Sequence, residues 1–288
     1  MLSRILKPWF VFRPAQIFHR ALYSLRTPPE GYRELQTSWG ASVVADPGKT
    51  IGRSICTTGL YDLNVSECLC RLIRPGDLVV DAGANIGYMT LLAAALTTDS
   101  GKVIAYEPLG ELFQVLQRNV AIAKNFCRRI ETRNCALGDQ AGEVQLVVPA
   151  QMAENDGLSY VGAPASSQDR CETVRQLTLD DEVGQEIVGV LKLDVEGAEP
   201  NVLRGASSLL KHGQIRDIVF EDHHGLGSET CRILEGYGYR IFSIGRSLRG
   251  LRLSNVKNEA ASYEAPSYLA TLDEKQVLER CRRPGCAA

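Results

Sequence analysis

Residues Asp77 to Pro108 read DLVVDAGANIGYMTLLAAALTTDSGKVIAYEP. The opening apolar run, Leu78-Val79-Val80, suits a strand buried on both faces of a parallel sheet. It ends in Asp81, and a turn containing Gly83, Asn85 and Gly87 follows. An alanine-rich helix is expected from about Ile86 to Leu96, then a second strand, Val103 to Tyr106, that ends in Glu107. This is a β-α-β unit with glycines at its first turn and a carboxylate at the tip of its second strand. Glycines let backbone approach a ligand closely, because no Cβ stands in the way. Glu107 lies about 20 residues beyond Gly87, where such folds set an acid on two ribose hydroxyls. The unit reads as a nucleoside-binding half-site.

A dinucleotide site requires G-x-G-x-x-G, with pyrophosphate on the helix N-terminus. Here Asn85 and Tyr88 occupy the second and third glycine positions. The pattern D-x-G-x-N-x-G from Asp81 resembles the first motif of class I S-adenosylmethionine-dependent methyltransferases. Glu107-Pro108 is similar to their second motif. The resemblance implies S-adenosyl-L-methionine as cofactor, with Asp81, Gly83, Asn85, Gly87 and Glu107 around it. That ligand has no phosphate, so the turn need not be an anion nest. The alternative is a Rossmann-like protein with no adenosyl ligand.

The 288 residues are 44% hydrophobic and 23% charged, an ordinary globular composition, with room for one large α/β domain and an appendage. A net charge of -2 gives no electrostatic case for nucleic acid. Nine cysteines are scattered without a C-x-x-C pair, which argues against structural zinc and for reduced thiols in a cytoplasmic protein. Residues 1–33 carry six Arg or Lys against Glu30, with Trp9, Phe10, Phe12, Phe18 and Tyr23 interleaved. They make either a weak contact with an anionic membrane surface or, the preferred reading, a helix packed on the domain. No run approaches the ~20 apolar residues of a membrane span.

From Leu35 to Arg74 the chain forms an entrance, with a strand near Val43 to Ala45 and a helix from about Asn64 to Leu72. Tyr61 and Asp62 are candidates to cover the methionine end of the cofactor. A helix from about Leu109 to Ala123 and a third strand near Ile130 to Cys135 follow. Asn134, Ala136 and Asp139 at its tip are candidate adenine neighbours. Residues 143–182 break the βαβ rhythm: an edge strand at Glu143 to Val148, a polar stretch, and a short strand at Thr173 to Leu177. This reads as an insertion at the mouth of the site or a surface loop.

The second informative stretch, Val188 to Leu210, reads VGVLKLDVEGAEPNVLRGASSLL. A buried strand with one lysine ends in Asp194, and Glu196 and Glu199 follow. Three carboxylates crowd a loop at the C-terminal end of a strand, where open α/β sheets bind ligands. The next strand, Ile215 to Phe220, ends in Glu221-Asp222-His223-His224. Neighbouring fourth and fifth strands would set Asp194 and Glu221 face to face.

The run L-K-L-D-V-E-G-A-E-P-x-V-L-R-G-A resembles the signature of the FkbM family of methyltransferases. Pro75-Gly76-Asp77, DAGANIGY, Ala136-Leu137-Gly138-Asp139 and Thr178-Leu179-Asp180-Asp181 agree with it. Asp62 stands where that family commonly has Glu. The resemblance implies a Rossmann-like class I methyltransferase fold, a largely parallel seven-stranded sheet with helices on both faces. It covers about Val43 to Ile244; the chain is divided into an N-terminal helical or basic extension at 1–40, the catalytic domain at 41–250, and an edge strand, Ser267 to Ala270, with a tail in 251–288. The resemblance implies O-methylation of a hydroxyl on a sugar, glycan or secondary metabolite. Asp194, Glu221, His223 and His224 are the catalytic candidates, and Glu196 and Glu199 the substrate-binding ones. A histidine base without metal is the favoured mechanism; a divalent ion on Asp194, Glu221 and a histidine is the alternative. The rival functions are N-methylation of nucleic acid or protein, and a non-catalytic adenosyl-binding module. An N-methyltransferase acting on adenine would carry an Asn/Asp-Pro-Pro-aromatic motif where this chain has Asp194-Val195-Glu196-Gly197.

Overall fold

The computed structural model describes residues 31–123, 129–150, 157–247, 250–255 and 266–282. The basic, aromatic segment before residue 31 lies outside them. An antiparallel pair, β1 (Arg33–Gln36) and β2 (Ser42–Ala45), opens the described chain. The boundary expected at residue 40 therefore falls inside a hairpin. Helices α1 (Thr50–Thr58) and α2 (Leu63–Leu72) follow. Asp62 caps α2, its side chain accepting from the Val65 N–H at 3.0 Å.

The β-α-β unit is β3 (Leu78–Ala82), α3 (Tyr88–Thr97) and β4 (Lys102–Tyr106). Next come α4 (Gly110–Ile122), β5 (Ile130–Arg133), β6 (Ala136–Leu137), β7 (Gly142–Val148), β8 (Tyr160–Val161) and β9 (Arg170–Leu177). The chain returns to the main sheet through α5 (Leu179–Val183), β10 (Val188–Leu193), α6 (Glu199–Arg204), α7 (Ser207–Lys211) and β11 (Ile215–Glu221). It closes with α8 (Glu229–Gly236), β12 (Arg240–Ser247), β13 (Gly250–Ser254), β14 (Ser267–Thr271) and α9 (Glu274–Arg282).

The main sheet has the order β13-β12-β14-β11-β10-β3-β4-β5. From β11 to β5 all neighbours are parallel, and β14 runs antiparallel between β11 and β12. This is the expected class I arrangement, with one strand more than expected. β13 adds an eighth by hairpin pairing to β12. Ser267–Thr271 is not the edge strand expected from the sequence. Its five residues are all buried, because strands cover it on both sides.

Alternate side chains of each central strand enter opposite cores, which is why the sequence shows unbroken apolar runs. Val79, Val103, Val190 and Val219 join the core under α2, α3 and α4. Val80, Ile104, Leu191 and Ile218 join the core under α6, α7 and α8. The strands of the insertion join β6 in a separate sheet, β6-β9-β7-β8. β7, read as an edge strand, is paired on both sides, to β9 and β8. Among the described residues no helix is long and apolar enough to cross a membrane.

Candidate active site

The C-terminal ends of β3, β4, β10 and β11 open into one cleft of about 600 Å³. Its floor is the turn after β3. Gly83 has φ +77°, and a Cβ there would overlap the Asp194 carbonyl oxygen. Gly87 has φ +90°, and a Cβ there would run into Leu116 of α4. Protein backbone and side chain already demand glycine at both positions. The N–H groups of the turn are all consumed internally. Gly83 and Ala84 donate to Tyr106 O, Asn85 to Glu107 Oε2, Ile86 to Asn85 Oδ1 and Gly87 to Ala84 O.

Glu107 is 4% exposed and lines the cleft. Its Oε2 accepts from Asn85 N–H at 2.8 Å and its Oε1 from Leu109 N–H at 2.9 Å. Each oxygen keeps a lone pair for a ligand hydroxyl. Burial raises its pKa to about 7 against the pull of those two N–H groups.

At the other end, β10 and β11 run side by side, with Leu193 opposite Phe220. They deliver Asp194 and Glu221 to one mouth, with Glu196 and His223 beside them. Burial, then Asp194, Glu196 and Asp62, raise the Glu221 pKa to about 8, and Lys192 opposes them. Burial, then Asp194 and Glu199, raise the Glu196 pKa to about 7. His223 Nε2 sits 3.2 Å from Glu221 Oε1. Above the mouth, Tyr61 meets Tyr88 edge-on at 5.9 Å, and Trp39 Nε1–H donates to the Tyr88 hydroxyl at 3.2 Å. The hairpin and the α1–α2 segment are thereby tied to the glycine turn. Asp62 also lines the cleft.

Other expected residues lie elsewhere. Asp139 is exposed and off the cleft wall, as is Asn134, which donates to Glu107 O and Pro108 O; Ala136 does line the cleft. Asp81 lies beneath the floor at 1% exposure and accepts from the Thr90 hydroxyl at 2.6 Å. Glu199 turns back to accept from Val195 and Gly197 N–H. His224 belongs to an adjoining basin, with its side chain 87% exposed and 3.5 Å from Asp222. Among the described residues no three His, Cys, Asp or Glu side chains are arranged to hold a metal ion. Lys192, visible in the sequence as the lysine of a buried strand but given no role there, also lines the cleft. The available signal was a single cation inside a six-residue strand that is buried throughout.

The model of the methyltransferase FkbM domain matches residues 81–241. The chain is similar to the 31-O-demethyl-FK506 methyltransferase FkbM of Streptomyces tacrolimicus. They share 29% identity over 199 residues, 59% of this chain and 75% of that one. It is also 29% identical to Methyltransferase 1 of Beauveria bassiana over 231 residues, 72% and 89% of the two chains. A SAM-dependent O-methyltransferase from Thermotoga maritima aligns with 17% identity and a TM-score of 0.44, covering 83% of this chain and 77% of that one.

Proposed function

The chain belongs to the FkbM methyltransferase family, and we propose that it moves the methyl of S-adenosylmethionine to a hydroxyl oxygen of a small molecule or glycan. The observation that carries the cofactor reading is the glycine turn. Five successive N–H groups, Gly83 to Gly87, already have acceptors inside the protein, so the turn itself is not an open nest of donors for a pyrophosphate. A ribose and an amino-acid tail make no such demand. The two free lone pairs of Glu107 suit vicinal ribose hydroxyls. The cleft volume falls in the range usual for cofactor sites.

When bound, S-adenosylmethionine supplies a sulfonium methyl open to in-line displacement. The residues at the mouth orient the acceptor and take its proton. Asp194 holds the hydroxyl, and the Glu221–His223 pair receives the proton, since their 3.2 Å contact lets them share it. His224 lines the adjoining basin rather than the cleft and serves no step. The name of the Streptomyces relative, 31-O-demethyl-FK506 methyltransferase, describes transfer to an oxygen and supports a hydroxyl acceptor. The carboxylates at the mouth argue against a phosphate backbone as partner. The test is incubation with methyl-labelled S-adenosylmethionine and cell extract. Label in a base-stable ether is the expected product. Label in amines of protein or nucleic acid would replace the hydroxyl reading.

A further inference from the structure

Beneath the cleft floor, Lys192 is 7% exposed and presents its ammonium to three oxygens from three places in the chain. Nζ donates to Gly83 O at 2.8 Å, lies 3.1 Å from Asp194 Oδ2, and lies 3.4 Å from Asp81 Oδ1. The ammonium thus has one hydrogen bond to a carbonyl and two carboxylates in ion-pair contact. Asp81 Oδ1 has no hydrogen bond, so that ion-pair contact is what balances it. Burial alone would lower the lysine pKa, but Asp194 and Asp81 outweigh it and the group stays charged. The backbone repeats the link: Asp194 N–H donates to Ala82 O at 3.1 Å, and Gly83 packs against Asp194 O. No described residue bonds the other Asp194 oxygen, Oδ1, which is left to the cleft.

We propose that Lys192 is a positioning residue that clasps the cofactor turn to Asp194, so that the methyl-donor side and the acceptor side of the cleft hold one fixed geometry. This inference rests on the methyl-transfer reading above. A buried ion pair gives little net stability over an apolar replacement, so stability alone does not explain a lysine here. An apolar side chain cannot fix one carboxylate oxygen while aiming the other outward. Fixed aim matters in a displacement whose rate depends on alignment.

The test is the Nζ resonance of Lys192 in protein labelled with ¹⁵N-lysine, assigned by its loss in Lys192→Arg, which keeps the charge. The expected signal exchanges slowly with water, moves in Asp194→Asn, and moves again when S-adenosylhomocysteine is added to the wild type. In parallel, Lys192→Met should weaken S-adenosylhomocysteine about tenfold by calorimetry. If that variant does not fold, Asp81→Asn/Lys192→Met, which removes both buried charges, takes its place. A signal that exchanges like a surface lysine or ignores Asp194→Asn, or an affinity unchanged by removal of the ammonium, overturns the clasp. Wild-type protein that shows the Asp194-sensitive signal but binds no S-adenosylhomocysteine would instead defeat the cofactor reading.

Discussion

Burial lifts the Glu107 carboxyl to about 7, and a ribose hydrogen bond needs it ionised. S-Adenosylhomocysteine should therefore bind with constant affinity well above pH 7 and weaken about tenfold per pH unit below it. Calorimetry across that range checks this, and a flat profile would detach Glu107 from the ligand. Stability should run the opposite way. Glu107 and Glu196 near 7 and Glu221 near 8 all hold protons more tightly in the folded state than an ordinary carboxyl at about 4.3. The folded state thus binds more protons between those values, and stability falls as pH rises from about 4.3 to about 8. The melting temperature of ligand-free protein should be lower at the upper end of that window. At the mouth, His223→Ala should cost about 10²-fold in turnover while a chelator costs nothing. Loss of turnover in chelator, restored by magnesium or manganese, would reverse that assignment. Asp194, Glu221 and Glu107 could be found from the sequence because each closes an apolar run, and an acid at a strand tip stands out. Lys192 could not be placed the same way, because its three partners are far apart in the chain and meet only when β3 and β10 pair.

The glycine turn and the loop after β10 touch so closely that each constrains the other. Gly83→Ala should lose about 2–5 kcal/mol, from a strained φ and an overlap with Asp194 O. Urea denaturation measures it, and an unchanged midpoint would show that the two loops part easily. The βαβ unit and strands β10 and β11 were legible because burial on both faces writes itself as continuous apolar runs. The insertion was less so. The sequence of β7 alternates polar and apolar residues like an edge strand, yet β7 pairs on both sides in a separate sheet, and one of its partners, β9, lies more than twenty residues on. The position of β14 was likewise hidden. Nothing local in Ser267–Thr271 says that two strands flank it, since that follows from the order of the whole sheet. Its removal from between β11 and β12 should abolish cooperative unfolding, whereas loss of a true edge strand would leave it.

Seen whole, the molecule brings the ribose acid and the acidic mouth to one face because all five parallel strands point their C-terminal ends the same way. Glu107 marks one end of the cleft and Asp194, Glu196 and Glu221 the other, with the glycine turn between. At that mouth Asp194 acts on the acceptor rather than on the fold. The measurement is methyl transfer from labelled S-adenosylmethionine by wild type and Asp194→Asn, alongside melting temperature and S-adenosylhomocysteine affinity. The predicted result is a loss of about 10²-fold or more in transfer with folding and product binding retained. Asp194→Asn that folds, binds and turns over like wild type would contradict it.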